Sequence, residues 1–225
     1  MLFIVISRPD FFPGEADAIR ILFDEGIDLF HLRKPQSSLN DCAALLRALP
    51  ESMRHRIVTH EHFDICRDYA LHGMHLNKRN PRAPTTLTSS TSLPPGGLQT
   101  SAHHHRLPAE VRPMTLSASC HSLAEVRERK GRCDYVFLSP VFDSISKSGY
   151  RAAFSPDELR AAARDGTIDD NVIALGGCSL QNIRALGELH FGGAAFLGDV
   201  WNRWGTEKFA PHAAALRREL GRRLP

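Results

Sequence analysis

The sequence contains no CxxC pair, no apolar run near the roughly 20 residues that span a bilayer, and no large excess of either charge. Each absence excludes something. The five cysteines (Cys42, Cys66, Cys120, Cys133, Cys178) are odd in number and scattered, so they read as reduced thiols of a cytosolic protein. Without a spanning run the chain is expected to be soluble, with no membrane partner. A formal charge of +3 over 225 residues does not argue for nucleic acid. The basic run Arg217, Arg218, Arg222, Arg223 reads as the solvated face of a last helix. The start, Met1-Leu-Phe-Ile-Val-Ile6, lacks a basic leader region and meets Arg8-Pro9 at once. That pattern marks a first strand rather than a signal peptide.

What is present is alternation. Short apolar runs at 2–6, 29–32, 56–59, 73–76, 115–118, 135–139, 172–175 and 194–197 are each bounded by turn residues. Helical periodicity follows them over 15–25, 39–49, 62–71, 121–130, 156–164, 180–189 and 208–222. Eight strands alternating with helices predict a parallel sheet, and eight closes a (β/α)8 TIM barrel, here as one α/β domain over 1–225. A doubly wound open sheet is the competing architecture. The fourth unit breaks the rhythm. Residues 81–113 are rich in Pro, Ser, Thr and His without a core period, and are expected to be a flexible insertion. Within it, His103, His104 and His105 read as a solvated polar run, because three consecutive residues cannot all face one ion.

In a barrel of this kind the working residues sit at the C-terminal strand ends. Polar groups recur there. They include His31, Arg33 and Lys34 at strand two, His60, Glu61 and His62 at strand three, and His75, Asn77 and Lys78 at strand four. Ser119 and His121 follow strand five, and Ser139, Ser144, Ser146 and Lys147 follow strand six. The Ser-x-Ser-Lys loop offers hydrogen bonds and a positive charge to a phosphate group. Gly176-Gly177 after strand seven and Gly198-Asp199 after strand eight allow close backbone approach to a ligand, although a glycine pair also serves a tight turn. His60, His62 and His75 raise a metal reading, which the divergence of residues two apart opposes.

Seven blocks carry a resemblance: HLRKP (31–35), VTHEHFDIC (58–66), GMHLNKRN (73–80), SASCHS (117–122), DYVFLSPVFDSISK (134–147), ALGG (174–177) and GGAAFLGD (192–199). In this order and spacing the chain resembles the thiamine phosphate synthase/TenI family, outside the insertion. The synthases of that family join a pyrimidine diphosphate to thiazole phosphate and release pyrophosphate. TenI-type enzymes tautomerise thiazole phosphate carboxylate. The resemblance implies that Gly176, Gly177, Leu197 and Gly198 hold the thiazole phosphate by backbone amides, with Ser119 as a further phosphate ligand. It implies that Ser144, Ser146 and Lys147 stand for the family's Thr-x-Thr-Lys, and Arg33 for its strand-two arginine. His121 falls where TenI-type enzymes carry their catalytic histidine, and His31 starts their strand-two motif. Relatives are commonly dimers, so a homodimer is expected.

The departures separate the two activities. Where synthases read Gln-x-Arg-x-Lys, this chain has Pro35 at the lysine position, and Lys34, one residue off, points the other way on an extended segment. Two aspartates that serve Mg²⁺ are replaced by Glu61 and Asn80, and Mg²⁺ requires hard anionic oxygens. Glu61 is read either as a residual metal ligand or as a partner to His60 or His75. A tautomerase needs one acid/base near neutrality and no cofactor. The expectation is therefore a tautomerase with His121 as proton shuttle and Lys147 and Arg33 on the carboxylate. The alternatives are a diverged, Mg²⁺-dependent synthase and a non-catalytic relative that binds thiazole phosphate.

Overall fold

The computed structural model describes residues 1–84, 114–143 and 151–222. Of the insertion read over 81–113, residues 85–113 lie outside these residues, as do Ser144, Ser146 and Lys147, read as phosphate ligands and as a catalytic lysine. Eight parallel strands pair in chain order and close on themselves: β1 (Leu2–Ile6), β2 (Leu29–Leu32), β3 (Ile57–Thr59), β4 (Gly73–Leu76), β5 (Thr115–Cys120), β6 (Tyr135–Leu138), β7 (Val172–Leu175) and β8 (Gly193–Phe196). Closure comes from Leu2 pairing with Gly193 and Val5 with Phe196, which excludes the open sheet. Among the described residues the helices are α1 (Glu15–Asp24), α2 (Leu39–Arg47), α3 (Glu51–Arg54), α4 (Ile65–Asp68), α5 (Leu123–Arg129), α6 (Pro156–Arg164), α7 (Ile183–Glu188), α8 (Gly198–Trp201) and α9 (Phe209–Gly221). No helix among them is long and apolar enough to cross a membrane.

Local chemistry sets these helices. Ser38 and Ser155 each open a helix with a complete capping box, closed by Asp41 and Glu158, and Pro156 takes the first turn. The apolar stripe of α1 (Ala18, Ile19, Leu22, Phe23) packs on the outer face of the strands, where Phe3, Val5 and Phe30 point. The alternate residues point inward. Ile4, Ile6, Leu29, Val58, Tyr135, Phe137, Ile173 and Ala195 form the interior cluster.

Several expectations need correction. The helix read over 62–71 reduces to α4, since His62 and Ala70 take left-handed φ values of 52° and 49°. The helix over 180–189 begins only at Ile183, after Asn182 has bonded the Gly177 carbonyl and the Ser179 amide. Strand five runs on to Cys120, so Ser119 lies within the ladder, opposite Phe137. The four-residue helices α3 and α8 are too short to leave a periodic pattern.

Lys34 is buried at 0% exposure, with its Nζ 2.7 and 2.8 Å from the two oxygens of Glu15 and 2.9 Å from the Asp10 carbonyl. Burial pushes the Glu15 carboxyl up and the Lys34 ammonium down, against their mutual attraction. Glu15→Ala strands a buried ammonium and is expected to cost about 3–5 kcal/mol in denaturant unfolding, while the paired change Glu15→Leu with Lys34→Met recovers most of that loss.

Candidate functional site

The C-terminal face gathers residues from seven strand ends. His121 follows β5, and its Nδ1 lies 3.2 Å from the Ser139 carbonyl and 3.3 Å from the Ser139 hydroxyl at the end of β6. The carbonyl only accepts, so this contact suits the Nδ1–H tautomer, which leaves a lone pair on Nε2. The chain then runs Ser139–Pro140, a cis peptide, into a segment that lies along the β7 end. Val141 N donates to Leu175 O and Phe142 N to Gly176 O, both at 3.0 Å. His121 and the glycine pair are thus on one rim, joined through Ser139 and Pro140.

The glycines are needed for that approach. A Cβ on Gly176 would meet Pro140 at 2.8 Å, and one on Gly177 would meet the Asp143 carbonyl at 2.2 Å, with φ at +92° and +67°. Gly177→Ala is expected to cost about 2–5 kcal/mol from strain and backbone collision. Gly166→Ala, with φ +75° and nothing within 4 Å, should cost about 1 kcal/mol on the same thermal unfolding measurement. Among the described residues, the N–H groups of Gly176 and Gly177 have no backbone acceptor. Leu197 and Gly198 lie at the β8 end, where Leu197 is 36% exposed and Gly198 opens α8.

Other sequence-selected residues turn elsewhere. Asp199 faces α9, bonded to His212 at 2.6 Å and Arg203 at 3.2 Å. His62 bonds the Ser37 carbonyl at 2.9 Å and leaves the other histidines. Glu61 partners neither His60 nor His75. Its Oε1 accepts from Arg79 at 2.8 Å and its Oε2 from the Lys34 amide at 2.9 Å. Asn77 holds the turn by accepting from the amides of Arg79 and Asn80, and the Asn80 side chain donates to the His60 carbonyl at 2.8 Å. These residues do not fit a resident Mg²⁺. They offer one carboxylate and one amide where the ion calls for several hard anionic oxygens, and a guanidinium stands on the outer carboxylate oxygen. Arg79 was not selected from sequence. Together with Arg33, whose guanidinium feels both Arg79 and Glu61, it leaves an excess positive charge at this edge of the rim.

Below the rim the barrel interior is polar on one side. His31 and His60 lie two residues beyond inward-facing Leu29 and Val58. They point into the barrel with His75, at 0%, 3% and 0% exposure. His31 Nδ1 is 3.0 Å from His60 Nε2, and His31 Nε2 is 2.8 Å from the Tyr135 hydroxyl. His75 joins Ser117 at 2.9 Å and Ser119 at 2.8 Å. Burial holds the His75 imidazole down at about 3, and His31 and His60 well below the usual range, so all three are neutral near pH 7. Their ligand atoms lie within 4.8 Å of one another. The rings of His60 and His75, however, stack at 4.2 Å and 24°. A metal lies in the plane of each imidazole it binds, so a stacked pair cannot share one ion. Both nitrogens of His31 and of His75 are already in hydrogen bonds.

Comparison with known proteins agrees with this architecture. Residues 102–200 match the family model described as thiamine monophosphate synthase. A thiamine phosphate pyrophosphorylase from Bacteroides thetaiotaomicron is 35% identical, with 97% of each chain covered and a TM-score of 0.77. Another from Pyrococcus furiosus is 18% identical over 97% of this chain and 94% of that one, with a TM-score of 0.68. A phosphoribosyl anthranilate isomerase from Thermus thermophilus shares the fold alone, at 13% identity, 98% coverage of each chain and a TM-score of 0.57. No curated protein sequence matches significantly. With a relative at 35% identity along essentially its whole length, and a closed (β/α)8 barrel, the chain belongs to the thiamine phosphate synthase/TenI family.

Proposed function

We propose that the protein binds thiazole phosphate carboxylate at the C-terminal face and tautomerises it, with His121 moving the proton. The observation that carries this reading is the condition of the groups a pyrophosphate-releasing enzyme would use. Lys34 is sealed on Glu15, and both oxygens of Glu61 are held by Arg79 and the Lys34 amide. A tautomerase needs neither.

In this reading the N–H groups of Gly176 and Gly177, with the amides of Leu197 and Gly198 and the hydroxyl of Ser119, take the phosphate. Ser144, Ser146 and Lys147 are assigned beside them on family resemblance. Arg33 and Lys147 hold the carboxylate and stabilise negative charge as it develops on the ring. His121 Nε2, left with its lone pair by the Nδ1–H bond to Ser139, removes a proton from one ring carbon. The bonding pair enters the conjugated system, the double bonds shift, and the imidazolium returns the proton to another carbon of that system, so the step is an isomerisation without other reactants. His31, the other catalytic residue assigned from the motif, is 0% exposed and hydrogen-bonded inside the barrel. Its contribution is therefore assigned to shaping the interior. The five cysteines are free thiols, which supports a cytosolic setting.

A second reading, the synthase, is supported by the pyrophosphorylase name of the 35% identical Bacteroides protein. It would use Mg²⁺ near Glu61 and Asn80 and take a pyrimidine diphosphate as second substrate. Incubation with each substrate set, with and without Mg²⁺, separates the two. Aromatisation of the thiazole carboxylate without Mg²⁺ is expected. Release of pyrophosphate in its place would overturn the tautomerase, and binding without either reaction would leave a ligand-binding relative.

A further inference from the structure

Six side chains inside the barrel lie in one polar row, and the proposed reaction gives a task only to the last of them, Ser119. His60 Nε2 meets His31 Nδ1 at 3.0 Å, and His31 Nε2 meets the Tyr135 hydroxyl at 2.8 Å. Tyr135 and Ser117 are register partners on β6 and β5 and both are buried, so their side chains are neighbours in the interior. Ser117 meets His75 Nδ1 at 2.9 Å, and His75 Nε2 meets the Ser119 hydroxyl at 2.8 Å. Five members are sealed, with Ser117 at 0% and Tyr135 at 2% exposure beside the three histidines. Ser119 is only half-buried, so the line opens to the outside through it.

Each member is a neutral group with one proton to give along the line. A hydroxyl donates once, and a neutral imidazole has one N–H and one lone pair. At the Ser117–His75–Ser119 end two senses satisfy every group, because a hydroxyl accepts twice: Ser117 either donates to His75, or accepts from it while donating to the Met74 carbonyl. Run inward, the Ser119 proton turns onto His75, and only oxygen lone pairs face the rim. Run outward, every donor leans toward the rim and the last proton, that of Ser119, projects from it. Aligned bonds polarise one another in a dry interior, so the outward sense strengthens that last donor. The Ser117 hydroxyl is 3.3 Å from the Met74 carbonyl, to which it can donate, and 2.9 Å from His75 Nδ1, the shorter of the two contacts.

We propose that His75 is the positioning residue that makes Ser119 a hydrogen-bond donor to an anionic oxygen of the ligand. It does so as the Nε2–H tautomer, taking a hydrogen bond from Ser117 at Nδ1 and giving one to Ser119 from Nε2. The proposal rests on the rim being a phosphate site, as assigned above. The two serines flanking His75 then differ in duty: Ser117 feeds its Nδ1, and Ser119 delivers its bond to the ligand.

The test uses the full chain with inorganic phosphate as the probe. Histidine ¹⁵N spectra of the phosphate-saturated wild-type protein are expected to show His75 protonated at Nε2 and bare at Nδ1. Ser119→Ala and His75→Phe should each weaken phosphate binding about tenfold. The double variant should be no weaker than Ser119→Ala alone, because one donor acts through the other. His75→Gln, which returns an N–H near the same place, should restore part of the loss. A Nδ1–H tautomer with phosphate bound, or additive losses in the double variant, would overturn the positioning role while leaving the phosphate site standing. Absence of phosphate binding to the wild-type protein would overturn both. The spectrum needs no variant, so a failure of His75→Phe to fold does not protect the proposal.

Discussion

Between pH 6 and pH 5 the protein is expected to lose about 3–4 kcal/mol of unfolding free energy. His31, His60 and His75 are buried and neutral, with His75 held down at about 3 and the other two well below the usual range. Burial is the main cause for all three. Neighbouring cations push the same way, Arg33 and Arg79 for His60 and Arg129 for His75. In the unfolded chain each ring titrates near 6.5. Above that value neither state binds the proton and stability is fully present. As pH falls through 6.5 the unfolded chain gains three protons that the folded chain refuses, at about 1.4 kcal/mol per proton and pH unit. Urea unfolding at half-unit steps from pH 7.5 to 5 reads the slope directly. A flat profile would mean that the folded cluster takes up protons, which the burial of all three rings opposes.

His121→Ala should lower turnover of thiazole phosphate carboxylate by about 10²–10⁴-fold, the range for removal of a general acid/base. It should leave product affinity within about twofold, because the ring is assigned to proton transfer and not to holding phosphate. His121 sits at the barrel mouth, so the thermal midpoint should barely move. Retained turnover would remove His121 from the chemistry, and lost affinity would reassign it to binding. Ser139→Ala serves as a companion: it keeps the carbonyl that accepts from Nδ1, so most activity should survive.

The frame was legible because each apolar run is short and sharply bounded. β1, β2, β4 and β7 were read to the residue at both ends, and the order and number of strands predicted closure. The interior polar line was not legible. His31, His60, His75 and Ser119 were read as groups at or beyond strand ends, since the inner layers of such barrels are usually apolar. The missed signal was parity: each stands two residues after another inward position, namely Leu29, Val58, Gly73 and Ser117. Lys34 was read correctly as pointing away from the site, because an extended chain alternates its side chains. Its acceptor on α1 could not be read, since nothing in the spacing brings Glu15 to it. Arg79 escaped for the same reason, and its partner Glu61 became visible only when β3 and β4 lay side by side.

The central claim is that the trailing ends of the fifth, seventh and eighth strands enclose one anionic heterocycle. Titration of ¹⁵N-labelled protein with thiazole phosphate, followed through its amide resonances, tests it most directly. The account predicts that Gly176, Gly177, Leu197, Gly198, Ser119 and His121 shift together and saturate at one concentration. Shifts confined to the opposite mouth, around Leu2, Gly73 and Gly193, or no shift at saturating ligand, would contradict it.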